Sequence, residues 1–155
     1  MNTRESIYDA LFCLIKNITW QQNGIPTQFR YSSRYLQSFD TILDGQLPAI
    51  FLRQYREPTT QPVLALPIWK MKAQIWIYAL AAGNASQPQN YPAQQINPIL
   101  DSLQTALQGP VPGEKQTLGG LVEHVKIDGD IIMNDPVVPD QQIIILVPVT
   151  ITTGL

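Results

Sequence analysis

The stretch IWKMKAQIWIYALA, residues 68–81, constrains the fold more than any other. It alternates with period two, the signature of an extended strand. Trp69, Met71, Ala73, Ile75, Ile77 and Ala79 form one face. The other face begins with Lys70, Lys72 and Gln74, then turns apolar at Trp76, Tyr78 and Leu80. A sheet covered on one side only keeps its second face polar. Trp76 and Tyr78 therefore need cover of their own, from a helix of the same chain or from a partner. Burying one such aromatic is worth about 1.5–3 kcal/mol, so leaving both in water is not neutral.

The remaining segments supply candidate cover. Thr3 caps a helix with Glu5 in its first turn, and Ile7, Leu11, Leu14 and Ile18 form its apolar stripe. Cys13 falls nearer the polar side of that helix, and Asn23-Gly24 ends the region as a turn. Residues 27–36, TQFRYSSRYL, alternate again and predict a half-buried strand, with Arg30 and Arg34 on one face and the aromatics on the other. SFDTILDG suits a short helical turn, and PAIFLRQY, residues 48–55, suits a strand buried on both faces. The prolines of EPTTQPVLALP supply no ladder donors, so a proline-rich loop is expected at about residues 56–67. Residues 83–92 read as a second loop. Ile96, Ile99, Leu100, Leu103 and Leu107 give a second helix, with Asn97-Pro98 placed as N-cap and first helical residue, or with the preceding turn helical as well because first-turn amides lack intrahelical acceptors, and Gly109-Pro110 as its stop. In residues 141–153, Ile143, Ile145, Val147, Val149 and Ile151 share a face, and Pro148 places that strand at a sheet edge or a bulge. The order predicts an α+β fold, a mostly antiparallel twisted sheet of four to five strands with two helices packed on one face. One domain spans residues 1–155.

Only 14% of residues are charged and the net charge is −2, against roughly 25% charged in an average domain. No basic stripe of the kind that grips phosphate stands out along the chain. Interface cores are depleted in charge, so the composition suits either a subunit covered by neighbours or a neutral polar surface. One cysteine excludes an intramolecular disulfide. The stretch MNTRESIYDALF carries no secretory pattern, and the longest apolar run, residues 143–149, falls far short of the roughly 20 residues that cross a bilayer. The expectation is a soluble intracellular product without a membrane partner.

The stretch QTLGGLVEHVKIDGDI, residues 116–131, holds the sole histidine, His124. Leu121, Val125, Ile127 and Ile131 align on one face, and His124, Lys126, Asp128 and Asp130 on the other; Gly129 suggests a bulge. A zinc site needs three or four ligands. Here one imidazole and two carboxylates lie along about 20 Å of strand, with His124 and Asp130 too far apart to share an ion. Asp128-Gly129-Asp130 with Asn134-Asp135 lacks the order of a calcium loop. No phosphate loop, dinucleotide fingerprint or nucleophile elbow is present. The reading is a strand face that meets solvent or a partner, with no catalytic residue, metal or cofactor. The rival is a small hydrolase using His124 with a carboxylate.

The ordered segments LPAIFLRQ (47–54), WKMKAQIWIYA (69–79), INPILDSLQTAL (96–107), QTLGGLVEHVKIDGDI (116–131) and IIILVPVTITT (143–153) carry a resemblance. Over about residues 4–153 the chain resembles the tail terminator, or tail-completion, proteins of tailed bacteriophages, and is similar to the minor tail protein U of lambda-like phages. Pro98 departs from the uninterrupted second helix expected of that family. The resemblance implies a virion protein of the tail or neck, made in the host cytoplasm. It would form a homo-hexameric ring that ends growth of the tail tube and offers a surface to the head-tail connector or neck protein. Genomic DNA would pass through the ring without specific binding, and the family has no catalytic residues to carry over. On that view Trp76 and Tyr78, or the Arg30/Arg34 face, would meet other subunits or the tube, and some of Glu114, Asp128 and Asp130 would face the lumen. A neck or head-completion protein of the connector is the nearest alternative.

Overall fold

A computed structural model describes residues 3–58, 68–80, 93–111, 113–134 and 142–153. Much of the proline-rich loop at about residues 56–67, and the loop at 83–92, lie outside the described residues, as does Asp135. The chain is α+β, with two helices and a mostly antiparallel sheet. Helix α1 spans Arg4–Lys16 and α2 spans Ala93–Leu107. Strands β1 (Thr19–Gln22) and β2 (Ile25–Gln28) form a separate hairpin. The main sheet has six strands: β3 (Tyr31–Ser33), β4 (Ala49–Arg56), β5 (Trp69–Leu80), β8 (Gln142–Thr153) and, side by side against β8, β6 (His124–Ile127) and β7 (Ile132–Met133). This exceeds the four to five strands expected, because short pieces pair where longer strands were predicted.

Strands β5 and β8 form the centre, paired antiparallel without a break from Trp69↔Thr153 to Leu80↔Gln142. Their shared inner face carries Met71, Ala73, Ile75, Ile77 and Ala79 against Ile143, Ile145, Val147, Val149 and Ile151, all buried. Both helices cover this face. Ile7, Tyr8, Leu11 and Ile15 of α1 and Ile96, Ile99, Leu103 and Leu107 of α2 join the same apolar cluster. The observed stripe of α1 uses Tyr8 and Ile15, while Leu14 is only half-buried and Ile18 lies beyond the helix.

Thr3 caps α1 as expected. Its hydroxyl accepts from the Ser6 amide at 3.1 Å, and the Ser6 hydroxyl accepts from the Thr3 amide at 3.0 Å, satisfying two first-turn donors. Arg4 fixes the same turn to the end of β4 through a two-pronged contact with Glu57, at 2.8 and 3.0 Å. Burial, and then the Glu57 charge, push the Tyr8 hydroxyl up to about 12.

The other face of the sheet answers the question raised by Trp76 and Tyr78. The segment after β3 makes two short 3-10 turns, Phe39–Thr41 and Asp44–Gln46, and lays Leu36, Phe39, Ile42 and Leu47 over Phe51, Trp76, Tyr78 and Leu80. Tyr78 stacks obliquely between Phe51 and Phe39, with ring centroids 5.0 and 5.2 Å away, and its hydroxyl donates to the Gln37 carbonyl at 2.8 Å. Tyr78 is thus covered by a segment of the same chain, while Trp76 stays half-buried.

Several local expectations are corrected. Residues 27–36 are not one strand: Asn23 and Gly24, both with positive φ, close a two-residue hairpin between β1 and β2, and β3 is a new strand, parallel to β4. Strand β4 is buried from Ala49 to Leu52 but exposed from Arg53 onward. Helix α2 starts at Ala93, so Pro98 lies inside it rather than at its first position. The 116–131 segment is a strand only over β6. Residues 118–123 turn, and four residues, 128–131, then span the two β8 residues Val147 and Pro148.

This bulge also explains Pro148, which belongs to a central strand and not an edge. The Asp128 amide donates to its carbonyl at 3.0 Å, so the proline's missing amide points to the bulged side, where the ladder is already interrupted. Gly129 has φ +121, and a Cβ there would sit 3.1 Å from Pro148 Cγ. Gly129→Ala is expected to lower stability by about 1–3 kcal/mol, read as a lower urea midpoint. Gly45→Ala, which meets open space and ordinary φ, is the control and is expected to leave the midpoint in place. Equal midpoints for both variants and the parent would contradict the bulge account.

Candidate functional surface

Directly opposed residues of paired strands share a face, so the pairing register fixes what stands together on the side away from the helices. One row runs Arg56, Lys72, Thr150, Lys126 across β4, β5, β8 and β6. The next runs Lys70, Thr152, His124. Arg53 opposes Gln74 on the same face. Cations distant in sequence are thus gathered on the half of this face that the 36–47 loop leaves open. Among the described residues, Arg53, Arg56, Lys70 and Lys126 have no ion-pair partner.

Asp128 sits within this array. Its carboxylate accepts from the Thr150 hydroxyl at 2.9 Å and from Lys72 Nζ at 3.2 Å, and Lys72 also donates to Thr150 Oγ1 at 3.0 Å. Thr150 is buried, which holds its hydroxyl in place. A depression of about 190 Å³ opens beside this triad, lined by Tyr55, Arg56 and Gln74 as well. The Thr150 hydroxyl, and then Lys72, hold the Asp128 carboxyl below its ordinary value. His124, half-buried at the margin, is pushed the opposite way from what a catalytic acid would need. Partial burial, then Lys115 and Lys126, lower its pKa, with Glu123 opposing.

The residues singled out from sequence are dispersed. Tyr78, expected at a subunit or tube contact, is only 4% exposed and packed within its own chain, so it offers no surface to a partner. Trp76 is half-buried, and its ring nitrogen donates to Gln74 Oε1 at 3.2 Å. Arg30 and Arg34 do not form one strand face. Arg30 lies exposed between β2 and β3, whereas Arg34, past the end of β3, pairs with Glu5 and Asp9 of α1. Glu114 lies in the loop after α2, apart from Asp128 and Asp130 in the bulge; all three are exposed. Among the described residues no three His, Cys, Asp or Glu side chains gather at one point, and no helix is long and apolar enough to cross a membrane.

The periodicity of β5 already set Lys70 and Lys72 on one face, and that of residues 124–130 set Lys126 beside His124. What joins them to each other and to Arg53 and Arg56 is the strand register, which no local pattern states. On the helix side, an open groove of about 910 Å³ runs between α1, α2 and the turn at Leu118, with the Cys13 thiol and the Asp101 carboxylate in its lining. No protein-family model matches this chain, and comparison with curated proteins finds no significant match.

Folding favours the charged form of Asp128, so its contribution to stability is in full force above about pH 4, its unfolded value, and fades as pH falls through the lower folded value. Thr150→Val removes the leading cause. The Asp128 pKa is expected to rise toward its ordinary range, followed by carboxyl carbon shifts in an NMR titration; an unmoved titration would contradict the assigned hydrogen bond.

Proposed function

We propose that this chain is a structural subunit of a phage virion, a tail terminator whose copies close into a ring at the head-proximal end of the tail. The observation that carries the reading is that, among the described residues, the main sheet has two unlike open edges. One edge is the short parallel strand β3. The other is β7, where Ile132 and Met133 are 58% and 50% exposed and Ile131 is exposed beside them. Among the described residues β7 pairs only with β8, while the neighbouring β6 is partly sheltered by the Gln116↔Val125 bridge. An apolar, unpaired sheet edge is a template for another chain. When the surface offered differs from the surface met, the contact is heterologous, and heterologous contacts that close produce rings.

The order of elements suits the family resembled: a helix, strands, a long central strand, a second helix, and then the glycine-rich turn leading into the last strands. In this role the ring, a hexamer by that resemblance, stops tube growth and presents a face to the head connector, and DNA traverses its centre. The chain acts as a building block and not as an enzyme. A neck or head-completion protein remains the second reading, because an open-edged sheet serves a connector ring equally well.

An amber mutation in the phage gene separates these readings under the electron microscope. Overlong tails are expected. Full heads beside detached tails of normal length would point to the connector role, and normal virions would remove both. In the same complementation assay, His124→Ala is expected to restore infectivity to the level of the parent gene. Loss of infectivity with a folded protein would revive the hydrolytic rival.

A further inference from the structure

Of the ten lysines and arginines in the chain, five stand on the open half of the sheet's outer face: Arg53, Arg56, Lys70, Lys72 and Lys126. Among the described residues, Asp128 is the one carboxylate bonded into that array. Five cations less Asp128 give the face a formal +4 on a chain of −2, so the rest of the chain carries −6. Glu123 and Lys115 balance one another at the margin beside His124. A chain acidic on average thus presents a basic plane, which its low overall charge conceals.

We propose that this plane docks the sugar–phosphate backbone of a nucleic acid without reading its sequence. The cations are spread over β4, β5 and β6, about 4.8 Å apart between β4 and β5, about twice that from β5 to β6 across β8, and about 6.6 Å apart at each two-residue step. That is an extended array of point charges, with the Thr152 hydroxyl set between Lys70 and His124. Backbone contacts of this kind position a duplex and carry no sequence information. Base readout needs an element that enters a groove, and among the described residues no helix or ribbon protrudes from this face. A carboxylate-bearing protein is disfavoured because the small depression on this face already holds a carboxylate of the chain itself. The inference stands on this charge geometry and not on ring formation, so failure to bind would leave the ring reading untouched.

The test is fluorescence anisotropy of the purified full chain with a short labelled duplex of arbitrary sequence, across a salt series. Each neutralised phosphate contributes roughly −0.9 to the slope of log K against log salt, so three to four free cations predict a slope of about −3. Lys70→Gln together with Lys126→Gln is expected to make that slope shallower by about 2. Arg30→Gln, far from the plane, should change nothing, and circular dichroism confirms that each variant is folded. No binding at low salt would overturn the proposal, as would binding indifferent to the two lysines. Polyglutamate bound as tightly as DNA through the same lysines would also overturn it, in favour of an acidic protein partner.

Discussion

The unbroken pairing of β5 with β8 is the constraint on which the rest of the structure depends. From Trp69↔Thr153 to Leu80↔Gln142 the two strands stay in register, so every side chain on both is assigned to one face or the other. A slip of β5 by one residue would send Ile75 and Ile77 to the outer side and bring Lys72 and Gln74 into the core. The apolar load on the inner face is heavy enough to forbid this. Ile-sized side chains each contribute about 1.5–3 kcal/mol on burial, and the inner positions of both strands are fully buried beneath the two helices.

Fixing the inner face also fixes the outer one, and the outer face is divided. Toward Leu80 and Gln142 it is apolar, and the chain covers it with its own 36–47 segment, anchored by Tyr78 and Phe51. Toward Trp69 and Thr153 it is basic and open, with Thr150 bonded between Lys72 and Asp128. Beside this division the segment that faces β8 bulges at residues 128–131, which allows Pro148 to sit in a central strand and sets β7 with its exposed Ile132 and Met133 at the rim. One ladder therefore positions the core, the basic plane and the open edge.

Much of this was legible in the sequence, and the parts that were not share a cause. Period-two patterning identified both faces of β5 and the buried face of β8, and helical spacing identified both helices. Thr3 announced its cap, and Gly129 with Pro148 announced a bulge. The unread parts depend on contacts between distant segments. Asn23-Gly24 was visible as a turn, but its flanks, TWQQ and IPTQ, lack the apolar alternation that marks a hairpin. Arg30 and Arg34 alternate in sequence, yet they stand outside β3 at its two ends, and Arg34 goes to the carboxylates of α1. The basic plane was invisible because its members come from three strands and only the register aligns them.

The central claim is that this chain is an assembly unit whose open sheet edges are met by other subunits. Imaging the purified protein by negative stain, mixed with isolated tail tubes, tests it most directly. The account predicts rings seated at one end of the tubes. Tubes with bare ends beside a protein that remains monomeric would contradict it.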